Sequence, residues 1–182
     1  MTNRNRHPAR SACRLALAIT AVAVPAGCTS STDGINAPLP RSGRAQAMTK
    51  ASATAHAIAA AGGHRAGKPT SGTDVSDCVG THDEVASDGR FVLQYTVNID
   101  APPAQHNGIG RQIRASMKKA KYSDITWGPA RSKNDEMTLR GYTGDWSAEV
   151  GSTVGNHGPG SLIYIGVTTP CLLPPGAKQQ KS

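Results

Sequence analysis

The sequence predicts an α+β domain in which one amphipathic helix packs on a four- to five-stranded antiparallel sheet. Three observations predict this fold class. A strand pattern is followed by a helix pattern, further short strand patterns follow with turn residues between them, and all seven aromatic residues lie between positions 91 and 164. The predicted domain (73–175) is smaller than the chain of 182 residues. We expect a signal peptide (1–27) and a largely disordered tether (28–72) before it, and a disordered tail (176–182) after it.

The first strand and the helix give the clearest patterns. Apolar side chains occupy every second position from residue 91 to residue 99, which is typical of a strand with one buried face. The prolines at 102–103 suit the first turn of a helix, where a missing N–H group loses no hydrogen bond. Ile109, Ile113 and Met117 then recur at helical spacing, which predicts a helix of about four turns.

Four short strand patterns complete the predicted sheet, at 124–129, 136–142, 145–154 and 161–169, with turn residues at hairpin spacing between them. The alternating apolar positions predict the buried side of these strands: Met137 and Leu139; Trp146, Ala148 and Val150; Leu162 and Tyr164. The predicted opposite side is polar and open to water or to a partner: Gln94, Thr96, Thr138, Ser147 and Glu149.

The N-terminus has the layout of a secretory signal peptide. Four arginines and no acid occupy the first 14 residues, and an uncharged run follows from Leu15 to Gly27. That run is too short for a membrane-spanning helix, which needs about 20 residues. Its end, Ala26-Gly27-Cys28, resembles the lipobox of bacterial lipoproteins, although Pro25 stands where an aliphatic residue is usual. The resemblance implies a lipid on Cys28 and a location on the outer face of the cell membrane; ordinary cleavage would instead give a secreted protein.

The formal net charge of +8 is unevenly distributed. Four bases belong to the predicted signal peptide, the tether has five bases and one acid, and residues 73–175 have nine bases and eleven acids. Because nucleic-acid binding needs basic charge on a folded face, we expect no nucleic-acid partner. The Ala-rich stretch 44–61 could form either a helix or a coil. Its apolar side consists mostly of alanine methyl groups, so we expect it to lie outside the core.

The four cysteines fall into distinct classes. Cys13 belongs to the predicted signal peptide and Cys28 is the predicted lipid site. Cys78 and Cys171 remain, and thiols outside the cytoplasm generally pair. A disulfide between them would join the two ends of the domain and stabilise it by about 4 to 5 kcal/mol in the chain-entropy model.

No motif for catalysis, for a metal ion or for a cofactor occurs in the sequence. His82, Asp83 and Glu84 are adjacent, and adjacent side chains point in divergent directions. We therefore predict no catalytic, metal or cofactor-binding residues, and we interpret the two tryptophans as packing residues. An enzyme would need folding to bring together at least two of the following: His82, His106, Asp124, Asp145, Glu149 and His157.

The whole layout of lipobox, tether and small domain with two cysteines resembles small actinobacterial cell-envelope lipoproteins, most of which have no known activity. The resemblance therefore implies a location rather than a reaction. We expect a non-enzymatic protein whose polar sheet face presents a binding or scaffolding surface to a wall component or to another protein. The alternatives are a small extracytoplasmic hydrolase or lyase acting on wall material, and an inhibitor or accessory subunit of a secreted enzyme.

Overall fold

The computed structural model describes residues 37–79, 84–131, 135–153 and 162–181. In chain order its elements are α1 (Arg44–Ala61), β1 (Asp74–Asp77), β2 (Phe91–Asp100), α2 (Pro103–Lys119), β3 (Ser123–Gly128), β4 (Thr138–Thr143), β5 (Trp146–Ser152) and β6 (Leu162–Thr168). Cys28 and the predicted signal peptide lie outside these residues. Neither helix is long and apolar enough to cross a membrane, as judged over the described ranges.

Six strands, counted over the described residues, form one sheet in the order β1-β2-β6-β5-β4-β3, and every neighbouring pair is antiparallel. Helix α1 packs over β2 and β6, and α2 packs over β3 and β4. The helices also contact each other, so they cover the same side of the sheet. The fold therefore has two layers, a helical side and an uncovered side.

The core lies between these layers and follows the predicted alternation. In β2, every second side chain from Phe91 to Ile99 is buried against the helices. Ile109, Ile113 and Met117 supply the buried side of α2. The helix and the five predicted strands are confirmed, with ends that differ by a few residues.

The expectation of four to five strands is corrected to six, because β1 was not predicted. Residues 74–77 are mostly polar and exposed, and no apolar alternation indicates a strand there. The element exists through backbone pairing alone, with Asp74 opposite Gln94 and Asp77 opposite Phe91 on the free edge of β2.

The expectation of one packed helix is also wrong, because α1 is part of the core. Ala47, Ala51 and Ala55 are at most 1% exposed, and Ile58 is 5% exposed. They recur every three or four residues, so they share one side of the helix. Their small side chains let the helix backbone approach the sheet closely, and dense contact then compensates for the missing large side chains.

The predicted disulfide is confirmed, since Cys78 is bonded to Cys171 with their Cα atoms 5.9 Å apart. Beside it, the backbones of Phe91 and Leu172 exchange two hydrogen bonds of 2.9 and 2.8 Å. The bridge thus joins the end of β1 to the segment that follows β6.

The C-terminal segment is bound to the domain, although residues 176–182 were predicted to be disordered. The Gln180 N–H group donates to Asp88 Oδ2 at 2.8 Å, and Arg90 Nη2 donates to the Gln180 carbonyl at 2.7 Å. Arg90 and Asp88 form an ion pair, and this guanidinium holds the pKa of the Asp88 carboxyl well below its usual range. Two side chains before β2 therefore hold the tail in place.

Candidate functional site

We call the side of the sheet away from both helices the open face. Its members alternate along the strands with buried residues such as Leu139 and Val150. The structure places the predicted polar residues on this face: Gln94, Thr96, Thr138, Ser147 and Glu149. The predicted polar side of the sheet is therefore confirmed.

A connected polar network occupies the centre of the open face. Arg140 on β4 lies directly opposite Glu149 on β5. Its guanidinium donates to Glu149 Oε2 from Nη2 at 2.5 Å and from Nε at 3.2 Å. Tyr164 on β6 donates its hydroxyl to Glu149 Oε1 at 3.1 Å. One carboxylate thus binds side chains from both neighbouring strands.

The network changes the acid–base properties of its members. Partial burial and then the negative charge of Glu149 raise the pKa of Tyr164 to about 12. The hydrogen bond to Glu149 raises the pKa of Arg140 above its usual value. Tyr164 therefore stays a neutral donor, and Arg140 stays a cation, at any physiological pH.

Glycine at position 151 allows Tyr164 to lie flat on the sheet. The two residues are paired across β5 and β6, and a Cβ atom at Gly151 would overlap the tyrosine ring. Gly166, two residues further along β6, also has no side chain, and a Cβ atom there would lie 3.9 Å from Thr96 Oγ1. The open face consequently has an aromatic ring that lies directly over the backbone of β5.

The prediction for the inward side of β6 is wrong. Leu162 and Tyr164 were assigned to the buried side, but Ile163, Ile165 and Val167 are the buried residues. The strand is apolar at almost every position, so alternation alone does not identify its inner side. Tyr164 and Arg140 were not predicted as members of the open face. Arg140 lies two residues after Thr138 on the same strand, so strand alternation would have placed it on that face.

The candidate acid–base residues do not form one group among the residues that the structure describes. Asp124 and Asp145 are exposed in β3 and in the turn before β5, and Glu149 is engaged in the network. His106 is 2% exposed, with Nε2 2.9 Å from the Ala101 carbonyl oxygen. His82 and His157 lie outside the described residues. Over the described ranges, no group of three or more His, Cys, Asp or Glu side chains could hold a metal ion.

Both tryptophans lie on the helical side of the sheet and pack against the core. Trp127 lies against α2 at Gly110, and Trp146 lies under Lys50 of α1, whose Nζ atom is 4.2 Å from the ring centroid. Their interpretation as packing residues is confirmed, and neither ring belongs to the open face.

Comparison of the chain with protein-family models, with curated proteins and with solved structures found no match.

Proposed function

We propose that this protein is a lipid-anchored protein of the cell envelope and that its open face is a non-enzymatic binding or scaffolding surface. The observation that carries the proposal is the Arg140–Glu149–Tyr164 network, which holds charged and hydroxyl groups at fixed positions on an uncovered sheet. Such a face offers hydrogen-bonding groups, and its network residues line neither of the two grooves found among the described residues. A flat polar surface suits recognition of a polar partner better than it suits chemistry on a bound substrate.

The binding proposal is tested by blocking the open face. Thr126 and Thr138 are exposed neighbours of Arg140 on β3 and β4. We expect Thr126→Arg with Thr138→Arg to lower binding to purified cell wall or to a crosslinked envelope protein by about tenfold or more, because long side chains would cover the network.

The matched control adds the same two positive charges to the helical side of the sheet instead of the open face. Ala45 and Ala60 are exposed on α1, so Ala45→Arg with Ala60→Arg should leave binding within about twofold of wild type. Absence of binding by the wild-type chain to both materials, or an equal loss in the control, would contradict the proposal.

Lipid anchoring is tested by intact-mass spectrometry of protein extracted from membranes. The proposal expects a chain that begins at Cys28 and carries the added mass of acyl groups. Cys28→Ser should move the protein out of the membrane fraction. A mature chain that begins elsewhere and carries no acyl mass would exclude lipid anchoring.

A further inference from the structure

We infer that the helical side of the domain is a docking surface for the anionic headgroups of a lipid bilayer. Its cellular setting rests on the proposed lipid anchor, whereas the test below uses protein without lipid. The open face would then point away from the membrane, towards the envelope partner.

The helices of the folded part carry bases and no acids, whereas the acids of the described residues lie outside the helices. Helices α1 and α2 contain no acidic residue, and their bases together with the one in the turn after α2 are Arg44, Lys50, Arg111, Arg114, Lys118, Lys119 and Lys121. The ten acidic residues in the described ranges all lie in strands and loops. The excess of acids over bases in residues 73–175 hides the basic character of the helices, because that count includes the acids of the strands and loops and leaves out α1.

Six of these seven bases are exposed, and Arg114 is half-buried. The ion pairs among the described residues are Asp88–Arg90 and Arg140–Glu149, and neither contains a base of the helices. Lys118, Lys119 and Lys121 are exposed at the end of α2. A cluster of exposed bases without acidic partners is attracted to anionic lipid headgroups.

The cluster Lys118, Lys119 and Lys121 lies where α2 ends beside α1. The two helices run antiparallel, because Thr54 and Ala120 line one groove, whereas Gly62 lies against Ile109 and Ile113. The end of α2 is therefore beside the second half of α1, near Thr54.

The length of the chain before α1 limits how far the domain can lie from a lipid on Cys28. Eight residues lie between Cys28 and Ala37, the first described residue, and the nine residue steps span at most about 30 Å when fully extended. A lipid on Cys28 would thus keep the folded part, with the bases of its helices, within reach of the bilayer surface.

The groove between the helices favours a bilayer over another polyanion. It has a volume of about 180 Å³; Ala57 and Ala120 are its exposed apolar lining residues, and Ile58, Ile113 and Met117 are its buried ones. It is adjacent in sequence to Lys118, Lys119 and Lys121. An interfacial lipid surface offers negative charge and apolar chains together, whereas the outer surface of double-stranded nucleic acid is dominated by phosphate charge.

The test measures vesicle binding by the chain from residue 28 with Cys28→Ser, which contains the whole compact unit Asp33–Ser182. We expect it to sediment with vesicles of phosphatidylcholine and phosphatidylglycerol, not with phosphatidylcholine alone, and to dissociate as salt increases. Lys118→Gln with Lys119→Gln should weaken this binding about 25-fold, since each base near an anionic surface contributes about fivefold.

The matched control is Arg65→Gln with Lys68→Gln, which removes two exposed bases from the segment after α1. We expect a change within about twofold, with circular dichroism confirming that both variants fold. An equal loss in the control, or no binding to the anionic vesicles, would overturn the inference. Tighter binding to double-stranded DNA than to the vesicles would assign the basic side to nucleic acid instead.

A second measurement determines which side meets the bilayer. An environment-sensitive dye attached after Ser116→Cys, beside the groove, should shift to shorter wavelength on anionic vesicles, whereas one attached after Thr126→Cys on the open face should not. The opposite result would overturn the orientation. The intact mass of the natural protein reports only on the lipid at Cys28, and the vesicle experiments report only on docking by the helical side. Failure of lipid anchoring and failure of docking can therefore be recognised separately.

Discussion

At the scale of single residues, Tyr164 shows how a site depends on neighbours across the sheet. Its ring lies over Gly151 on β5, and its hydroxyl donates to Glu149 two residues earlier on the same strand. Glu149 in turn accepts from Arg140 on β4. Strand alternation places each residue on a face, but only the pairing register makes them neighbours.

The raised pKa of Tyr164 predicts a change in stability at alkaline pH. The folded-state pKa of about 12 exceeds the usual tyrosine value of about 10, so folding favours the neutral phenol. Its stabilising contribution is therefore complete below pH about 10 and is lost between pH about 10 and 12. We expect the free energy of unfolding of Tyr164→Phe, measured with urea, to fall less steeply over this range than that of wild type.

Glu149→Gln is the control for the cause of this shift. It removes the negative charge beside the phenol while leaving the ring over Gly151, so its slope should lie between those of wild type and Tyr164→Phe. Parallel curves for wild type and Tyr164→Phe would show that the phenol is not perturbed.

At the scale of elements, α2 contains two glycines that have the same helix propensity but different surroundings in the fold. Either should weaken a helix relative to alanine. A Cβ atom at Gly108 would meet nothing within 4 Å, whereas one at Gly110 would overlap Met137 Sδ and lie 2.5 Å from the Trp127 ring. Gly110 thus allows α2 to pack closely on the sheet, and Gly108 has no such role.

This difference predicts opposite effects of the same substitution. Gly108→Ala should raise the free energy of unfolding by about 0.5 to 1 kcal/mol, because alanine restricts the unfolded chain. Gly110→Ala should lower it by about 1 to 3 kcal/mol, because the core must move to admit a methyl group. Chemical denaturation measures both, and changes of the same sign would contradict the packing described for α2.

At the scale of the whole molecule, the two ends of the fold are fastened together. The Cys78–Cys171 disulfide closes a sequence separation of 93 residues. Next to it, Ser42 and Leu173 are joined by a backbone hydrogen bond of 3.1 Å, so the segment before α1 meets the segment after β6. Any force on the N-terminal chain would therefore reach the bridged end of the domain.

Loss of the disulfide should remove a large part of the net stability. We expect Cys78→Ser with Cys171→Ser to lower the free energy of unfolding by about 4 kcal/mol, because the unfolded chain regains the entropy of an open loop. Reduction of the wild-type protein should give the same loss in a denaturant titration. A loss below about 1 kcal/mol in both experiments would indicate that the backbone contacts of Leu172 and Leu173 suffice to close the fold.

The sequence by itself determined the α+β class, α2, five strands, the cysteine pair and the polar positions of the open face. These features follow from local periodicity and from residue type, so each can be predicted without knowing how distant segments pack together. It did not determine β1, whose four residues are defined by backbone pairing, or the burial of α1, whose alanines stabilise the fold only because the sheet lies against them. Nor did it determine the inner side of β6 or the partners of Glu149.

The distribution of charge also depends partly on the sequence and partly on the tertiary structure. Counting residues revealed a basic N-terminal half and a slightly acidic domain, but a count has no direction in space. Tertiary structure decided that the acids of the described residues belong to the sheet and loops and that the helices are basic, because α1 and α2 pack side by side on one face. Contacts between segments distant in the chain set that arrangement, and no local pattern encodes them.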